Sequence, residues 1–267
     1  MPFSRHVLLL MSDPILVTGG SSGLGASLVD HLAGDYQVVT VARRIDRLTR
    51  LYGDDPAVHP HELDLADPEA VETFLDNLLE EWGYVPYLVN CAGSWTPKPV
   101  TELTQADLLR AMQVDAFSYV HTMAALLPAM REQDFGRIVN VGGSGALVPS
   151  SGWATQYAST MARHAYTVSA ALENDDRDIK VNLLGPGPMA TEMYDGPLSP
   201  RASHPTVEYL LNLDADGPTG RFFWLGYELP LFPDLGETDL FETFEADDSV
   251  AQQVAPRPDD MYAADAE

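Results

Sequence analysis

Apolar positions along this chain fall into two alternating kinds of run. Ile15 to Thr18, Gln37 to Ala42, a stretch around Val58 to Leu63, Tyr87 to Ala92, Arg137 to Val141 and Ile179 to Leu184 are short and rich in aliphatic residues, which predicts strands. Between them, apolar residues recur at helical spacing in Leu24 to Leu32, Arg43 to Leu51, Pro68 to Trp82, Gln105 to Met130 and Gln156 to Leu172. Pro68 suits the first turn of its helix, with Asp67 placed to cap it. Alternating strands and helices predict one α/β domain built on a parallel sheet. Past Leu184 the order weakens. Prolines 186, 188, 197, 200 and 205 punctuate a loop, a short helix is expected around Val207 to Leu213, and Phe222 to Leu225 forms a last strand.

The length of 267 residues suits a single α/β domain, and 45% hydrophobic residues are ample for its core. No apolar run approaches the roughly 20 residues that a membrane span needs, so a soluble cytoplasmic protein is expected. Cys91 is the only cysteine, which excludes an intrachain disulfide and argues against a cysteine-based metal site. Forty acidic residues against 15 basic ones give a formal charge of −25, which makes nucleic acid and anionic membranes poor partners. Only Lys98 and Lys180 are lysines. This balance resembles that of proteins from salt-accumulating microbes, where molar salt cuts the screening length to roughly 3 Å and makes self-repulsion tolerable; an acidic but otherwise ordinary protein is the alternative. Residues 1–12 are expected to be an N-terminal extension and 13–233 the domain. Residues 234–267, strongly acidic with Arg257 as their one base, are expected to form a solvated tail.

The strongest chemical signal is Thr18-Gly19-Gly20-Ser21-Ser22-Gly23-Leu24-Gly25, between the first predicted strand and the first predicted helix. Glycines there allow a tight turn and close approach of a pyrophosphate, whose charge the helix N-terminus favours. In that context the cluster points to a bound dinucleotide; a turn shaped only for helix packing is the plainer reading.

The spacing Thr-Gly-x-x-x-Gly-x-Gly resembles that of the short-chain dehydrogenase/reductase family, and the resemblance extends over roughly Pro14 to Leu229. Asp64-Leu65 matches the pair that flanks the adenine ring. Asn90-Cys91-Ala92-Gly93 matches an Asn-Asn-Ala-Gly segment with its second Asn changed. Pro186-Gly187-Pro188-Met189-Ala190-Thr191 matches the stretch that holds the nicotinamide carboxamide, and Gly217 to Phe223 looks like the closing strand of carbonyl-reductase-like members. The resemblance implies a single-domain, Rossmann-type, doubly wound parallel sheet of about seven strands. It also implies cofactor contacts from Thr18, Gly19, Ser21, Ser22, Gly23, Leu24, Gly25, Asn90, Ala92, Gly93, Tyr157, Pro186, Gly187, Met189 and Thr191. An acid at the end of the second strand would favour NAD; Ala42, Arg43 and Arg44 stand there instead, which favours NADP, with NAD possible.

The family site combines an asparagine, a serine, a tyrosine and a lysine. The tyrosine trades a proton with the substrate oxygen, and the lysine four residues later fixes the nicotinamide ribose and lowers the tyrosine pKa. Here Tyr157 is present, Met161 stands where the lysine is needed, and the asparagine position carries Asp115, a carboxylate expected to hold or relay a proton if buried. Counting forward from Asn140 puts Gly143 at the serine position. Counting back from Tyr157 puts Ser144 there, and Ser144 is favoured as the nearest hydroxyl. His164, two turns beyond Tyr157, is too distant to replace the lysine, whereas Lys98 could reach the site from its loop.

Three functions follow from the resemblance: an NADP-linked reductase of a carbonyl compound with Tyr157 as proton donor, a nucleotide-binding partner or sensor without turnover, and a non-redox enzyme on the same fold. The segment Met189 to Pro205, with Met193, Tyr194 and Pro197, would form a lid, and Trp95, Val148 and Trp153 would line the pocket, suiting an apolar or aromatic carbonyl or alcohol substrate. A homodimer or homotetramer joined through the two long helices is also implied.

Overall fold

The computed structural model describes residues 12–143 and 150–231. Seven parallel strands and one antiparallel strand form a single sheet in the order β3-β2-β1-β4-β5-β6-β7-β8. These are β1 (Pro14–Thr18), β2 (Gln37–Ala42), β3 (Val58–Glu62), β4 (Tyr87–Asn90), β5 (Gly136–Val141), β6 (Ile179–Gly185), β7 (Phe222–Trp224) and β8 (Tyr227–Leu229). The eighth strand was not expected. It pairs antiparallel to β7 through a two-residue turn, Leu225-Gly226, in which both residues have positive φ, 48° and 83°.

Helices cover both faces: α1 (Gly23–Leu32), α2 (Ile45–Tyr52), α3 (Pro68–Trp82), α4 (Gln105–Met112), α5 (Ser118–Gln133), α6 (Ala154–Leu172) and α7 (His204–Leu211). Side-chain alternation along β1 divides the core. Ile15 and Val17 pack with Leu28 and Val29 of α1 and with Leu210 and Leu211 of α7. Leu16, on the opposite face, joins Leu75 of α3 and Leu126 and Met130 of α5. Asp67 caps α3 as expected, accepting from the amides of Glu69 and Ala70. Among the described residues no helix is long and apolar enough to cross a membrane.

The expected long helix from Gln105 is interrupted. A five-residue π-helical turn, Gln113–Phe117, separates α4 from α5 and contains the buried Asp115. Such turns are often found at functional sites.

From β1 the chain runs outward through β2 to β3 and then returns to place β4 on the other side of β1. That reversal leaves a crevice beyond the carboxyl ends of β1 and β4, the usual ligand position in an open parallel sheet.

Candidate active site

A cavity of about 680 Å³ occupies that crevice, within the usual range for a small-molecule site. Its floor is the turn after β1. Gly19 has φ +82°, and a Cβ there would lie 2.8 Å from Ala92 Cα, so this turn and the end of β4 can approach closely only without a side chain. A Cβ at Gly25 would overlap the Gly19 carbonyl oxygen. No side chain caps the first turn of α1: the Ser22 hydroxyl accepts instead from Arg44 Nη2 at 2.9 Å, and Ser21 does so at 3.1 Å. A helix start of this kind, at the floor of a cavity and backed by a guanidinium, fits the diphosphate of a dinucleotide.

Most of the expected cofactor contacts gather on this cavity. Gly19, Ser21, Ser22, Gly23, Leu24 and Gly25 line its floor. Arg43, Arg44, Asp64 and Leu65 line one end. Ala92, Gly93 and Tyr157 line the other, and Pro186, Gly187, Met189 and Thr191 close the side. Two residues are elsewhere. Thr18 is buried and its Oγ1 accepts from the amides of Cys91 and Ala92, tying β1 to the end of β4. Asn90 is fully buried, donating to Asn140 Oδ1 and accepting from Thr122. Both shape the floor from beneath and neither lines the cavity. Ser144 and Val148 lie outside the described residues; Gly143, the other serine candidate, is on the cavity wall.

The helix α6 departs most from expectation. Gln156, Thr160 and Arg163 form one stripe at helical spacing along the cavity wall, with Tyr157 beside it. Met161, at the position of the family's lysine, where an ordinary buried helix residue or one packed on cofactor or core atoms was expected, is instead 39% exposed and does not line the cavity. The spacing of one helical turn that the family's tyrosine and lysine require is met on the wall by Gln156 and Thr160. Counting back from Gln156 rather than Tyr157 also brings the serine position to Gly143, in agreement with the count from Asn140. Lys98 is paired with Asp107 at 2.8 Å and does not line the cavity. His164 is buried against Phe222 and held well below the usual imidazole range, at about 4, by desolvation and then by Arg163.

Arg163, the cation that α6 itself brings to this part of the wall, was missed. It is 3% exposed, and its guanidinium donates to the Tyr119 hydroxyl at 3.0 Å, the Val141 carbonyl at 2.6 Å and Thr160 Oγ1 at 2.9 Å. Asp115 is its partner through space. Its carboxylate accepts from the Ser94 amide at 2.6 Å and the Ser94 hydroxyl at 3.1 Å, with Ser159 Oγ a long 3.5 Å away. Burial pushes the Asp115 carboxyl up to about 6, against the opposing pull of Arg163 and these hydrogen bonds. Desolvation likewise pushes the Cys91 thiol up to about 12, opposed by Arg163, so Cys91 offers no thiolate nucleophile.

A carboxyl whose folded pKa lies above its unfolded value stabilises the fold fully at low pH and loses that contribution as pH rises through the folded value. Asp115 should therefore give a fall in stability between about pH 4 and 6, on the order of 2 kcal/mol. In Asp115→Asn, urea unfolding across that range should lack this fall; an unchanged slope would exclude the assignment.

Aromatic rings furnish the opposite end of the cavity. Trp153 lies nearly parallel to Tyr157 at 6.0 Å between centroids and packs on Trp95 at 5.0 Å. Tyr194 meets Trp95 and Trp153 edge-on at 6.1 and 5.6 Å.

The sequence matches the short chain dehydrogenase family over residues 13–199. Similar proteins include the 2,3-dihydroxy-2,3-dihydro-p-cumate dehydrogenase of Pseudomonas putida, 27% identical over 72% of this chain and 76% of that protein. Sulfoacetaldehyde reductase 2 of Chromohalobacter salexigens is 30% identical over 68% of this chain and 75% of its own length. A crystal structure of a metagenomic short-chain oxidoreductase in complex with NADP superposes with a TM-score of 0.72 at 24% identity, covering 79% of this chain and 96% of that one; that likeness establishes the fold.

Proposed function

The chain belongs to the short chain dehydrogenase family, and from that premise we propose that it is an NADP(H)-dependent oxidoreductase that reduces a carbonyl compound. The observation that carries the reading is Arg44, fixed by Ser21 and Ser22 at the head of α1, with Arg43 lining the same end of the cavity. A 2′-phosphate would find charge-assisted donors there, whereas a ribose 2′-hydroxyl finds no acid at the end of β2. NAD is the alternative cofactor. Bound NADPH supplies the hydride. Tyr157, on the cavity wall, gives its phenolic proton to the substrate oxygen, and Asp115 behind Ser94, its carboxyl raised to about 6, exchanges a proton just below neutral pH. The rings of Trp95, Trp153 and Tyr194 favour a flat, apolar or aromatic carbonyl compound.

The proposed assembly is a homodimer or homotetramer through α4 to α6. Exposed Leu108 and Leu109 of α4, and Met161, Tyr166 and Leu172 of α6, give those helices an apolar outer surface in a chain of charge −25. Met161 has its place there.

A second reading, a nucleotide-binding partner without turnover, is favoured by one observation: Gln156 and Thr160 hold the wall positions one helical turn apart, where a phenol and an ammonium are needed. NADPH oxidation across a panel of aromatic and aliphatic carbonyl compounds decides between them. Turnover that falls on the order of 10²- to 10⁴-fold in Tyr157→Phe is expected. NADPH binding without oxidation by any compound would support the second reading, and turnover unchanged in Tyr157→Phe would remove Tyr157 from the chemistry.

A further inference from the structure

The loop after β6 is tied across the cavity mouth by one side chain. Glu192 Oε2 accepts from Arg44 Nη1 at 3.1 Å and Glu192 Oε1 from Arg47 Nη1 at 2.5 Å. Arg44, held by the Ser21 and Ser22 hydroxyls, lines the cationic end of the cavity beside Arg43, and Arg47 reaches Glu192 from outside the lining. Glu192 thus sits where an anion would be held. It also belongs to a tight turn: the Thr191 amide donates to the Tyr194 carbonyl at 2.8 Å, and the Tyr194 amide to Thr191 Oγ1 at 3.2 Å. The far end of that turn, Tyr194, packs edge-on against Trp95 and Trp153. A four-residue segment therefore touches both ends of the cavity.

Resting on the NADP reading above, we propose that Glu192 determines cofactor selection and links the two ends of the site: a 2′-phosphate displaces its carboxylate from Arg44 and Arg47, and the released turn shifts Tyr194 on the tryptophan wall. The electrostatics support displacement. A phosphate monoester carries more charge than a carboxylate and presents three acceptor oxygens to the two guanidiniums. The side chains of the pairs it replaces are between a third and a little over half exposed, and such pairs are weak. A dinucleotide lacking the 2′-phosphate has no group to compete for them, so the turn stays tied. Glu192 is held in its ionised form by Arg47 and then Arg44, so the competition is between two anions at neutral pH.

The test uses the full chain with adenosine 2′,5′-bisphosphate and adenosine 5′-monophosphate, which differ by the relevant phosphate and carry no nicotinamide to absorb tryptophan emission. Calorimetry on the wild type should show tighter binding of the bisphosphate. Glu192→Gln should tighten the bisphosphate further by roughly three- to tenfold and leave the monophosphate unchanged, with the effect shrinking as salt rises. Tryptophan fluorescence should change on adding the bisphosphate but not the monophosphate to the wild type. In Glu192→Gln the free protein should already show part of that change. A preserved wild-type preference with no effect of Glu192→Gln, or weaker bisphosphate binding in the variant, would overturn the role of Glu192 alone. Equal binding of the two nucleotides by the wild type would overturn the NADP reading as well.

Discussion

Gly25→Ala should weaken dinucleotide binding on the order of a hundredfold. The new methyl group would overlap the Gly19 carbonyl oxygen and lie 2.8 Å from its carbon, both backbone atoms that no rotamer change can clear. The turn must open, and with it the set of amides at the head of α1. Two charge-assisted bonds to a diphosphate lost at about 1.5 kcal/mol each would weaken binding on the order of a hundredfold. Overpacking adds a stability cost of about 1–3 kcal/mol. Gly34→Ala is the control, because a Cβ there meets only the His31 carbonyl oxygen at 3.8 Å. Calorimetry of both variants with NADPH checks this. Binding retained in Gly25→Ala would mean that the turn does not carry the diphosphate.

The second large effect is expected from Arg163→Leu. The leucine removes three hydrogen bonds from a guanidinium that is 3% exposed, and it removes the positive charge that opposes desolvation of Asp115. A loss of about 2–4 kcal/mol is expected at neutral pH. The same change should drive the Asp115 carboxyl further upward, so the decline of stability with rising pH should continue beyond about pH 6. Urea unfolding from pH 4 to 8 checks both results. A destabilised variant with the pH dependence of the wild type would show that Arg163 supports the fold without acting on Asp115.

Much of this architecture was legible because local signals agreed with the tertiary arrangement. The alternation in β1, the glycine turn, the Asp67 cap and the proline start of α3 each follow from short-range chemistry, and all are found in place. The features that were not legible depend on long-range packing. The π-helical turn at Gln113–Phe117 interrupts a pattern whose apolar spacing looks continuous. Strand β8 is three residues long with Tyr227 and Glu228 exposed, too short to leave an alternation. Glu192 meets Arg44 and Arg47 only because the loop after β6 folds over the end of β2.

Arg163 is the instructive omission. Measured from Tyr157 it lies off the wall; Lys98, in its loop, was the cation expected to reach the site, and His164 is too distant. Measured from Gln156 it stands seven residues on, the same helix face two turns later. The one-residue conflict between Gly143 and Ser144 was the available signal that the stripe along the wall starts at Gln156, next to Tyr157. Asp115, by contrast, was singled out as a carboxylate that would hold or relay a proton if buried, and it is fully buried; what the sequence could not supply was its clamp on Ser94.

NADPH should settle in the crevice between β1 and β4 in preference to NADH. Titrating the full chain with NADPH and with NADH by calorimetry, at low and at molar KCl, measures this. Saturable binding of NADPH, tighter than that of NADH, is expected, with the preference narrowing at high salt as the arginines are screened. Binding of neither coenzyme, under conditions where the chain is folded, would contradict it.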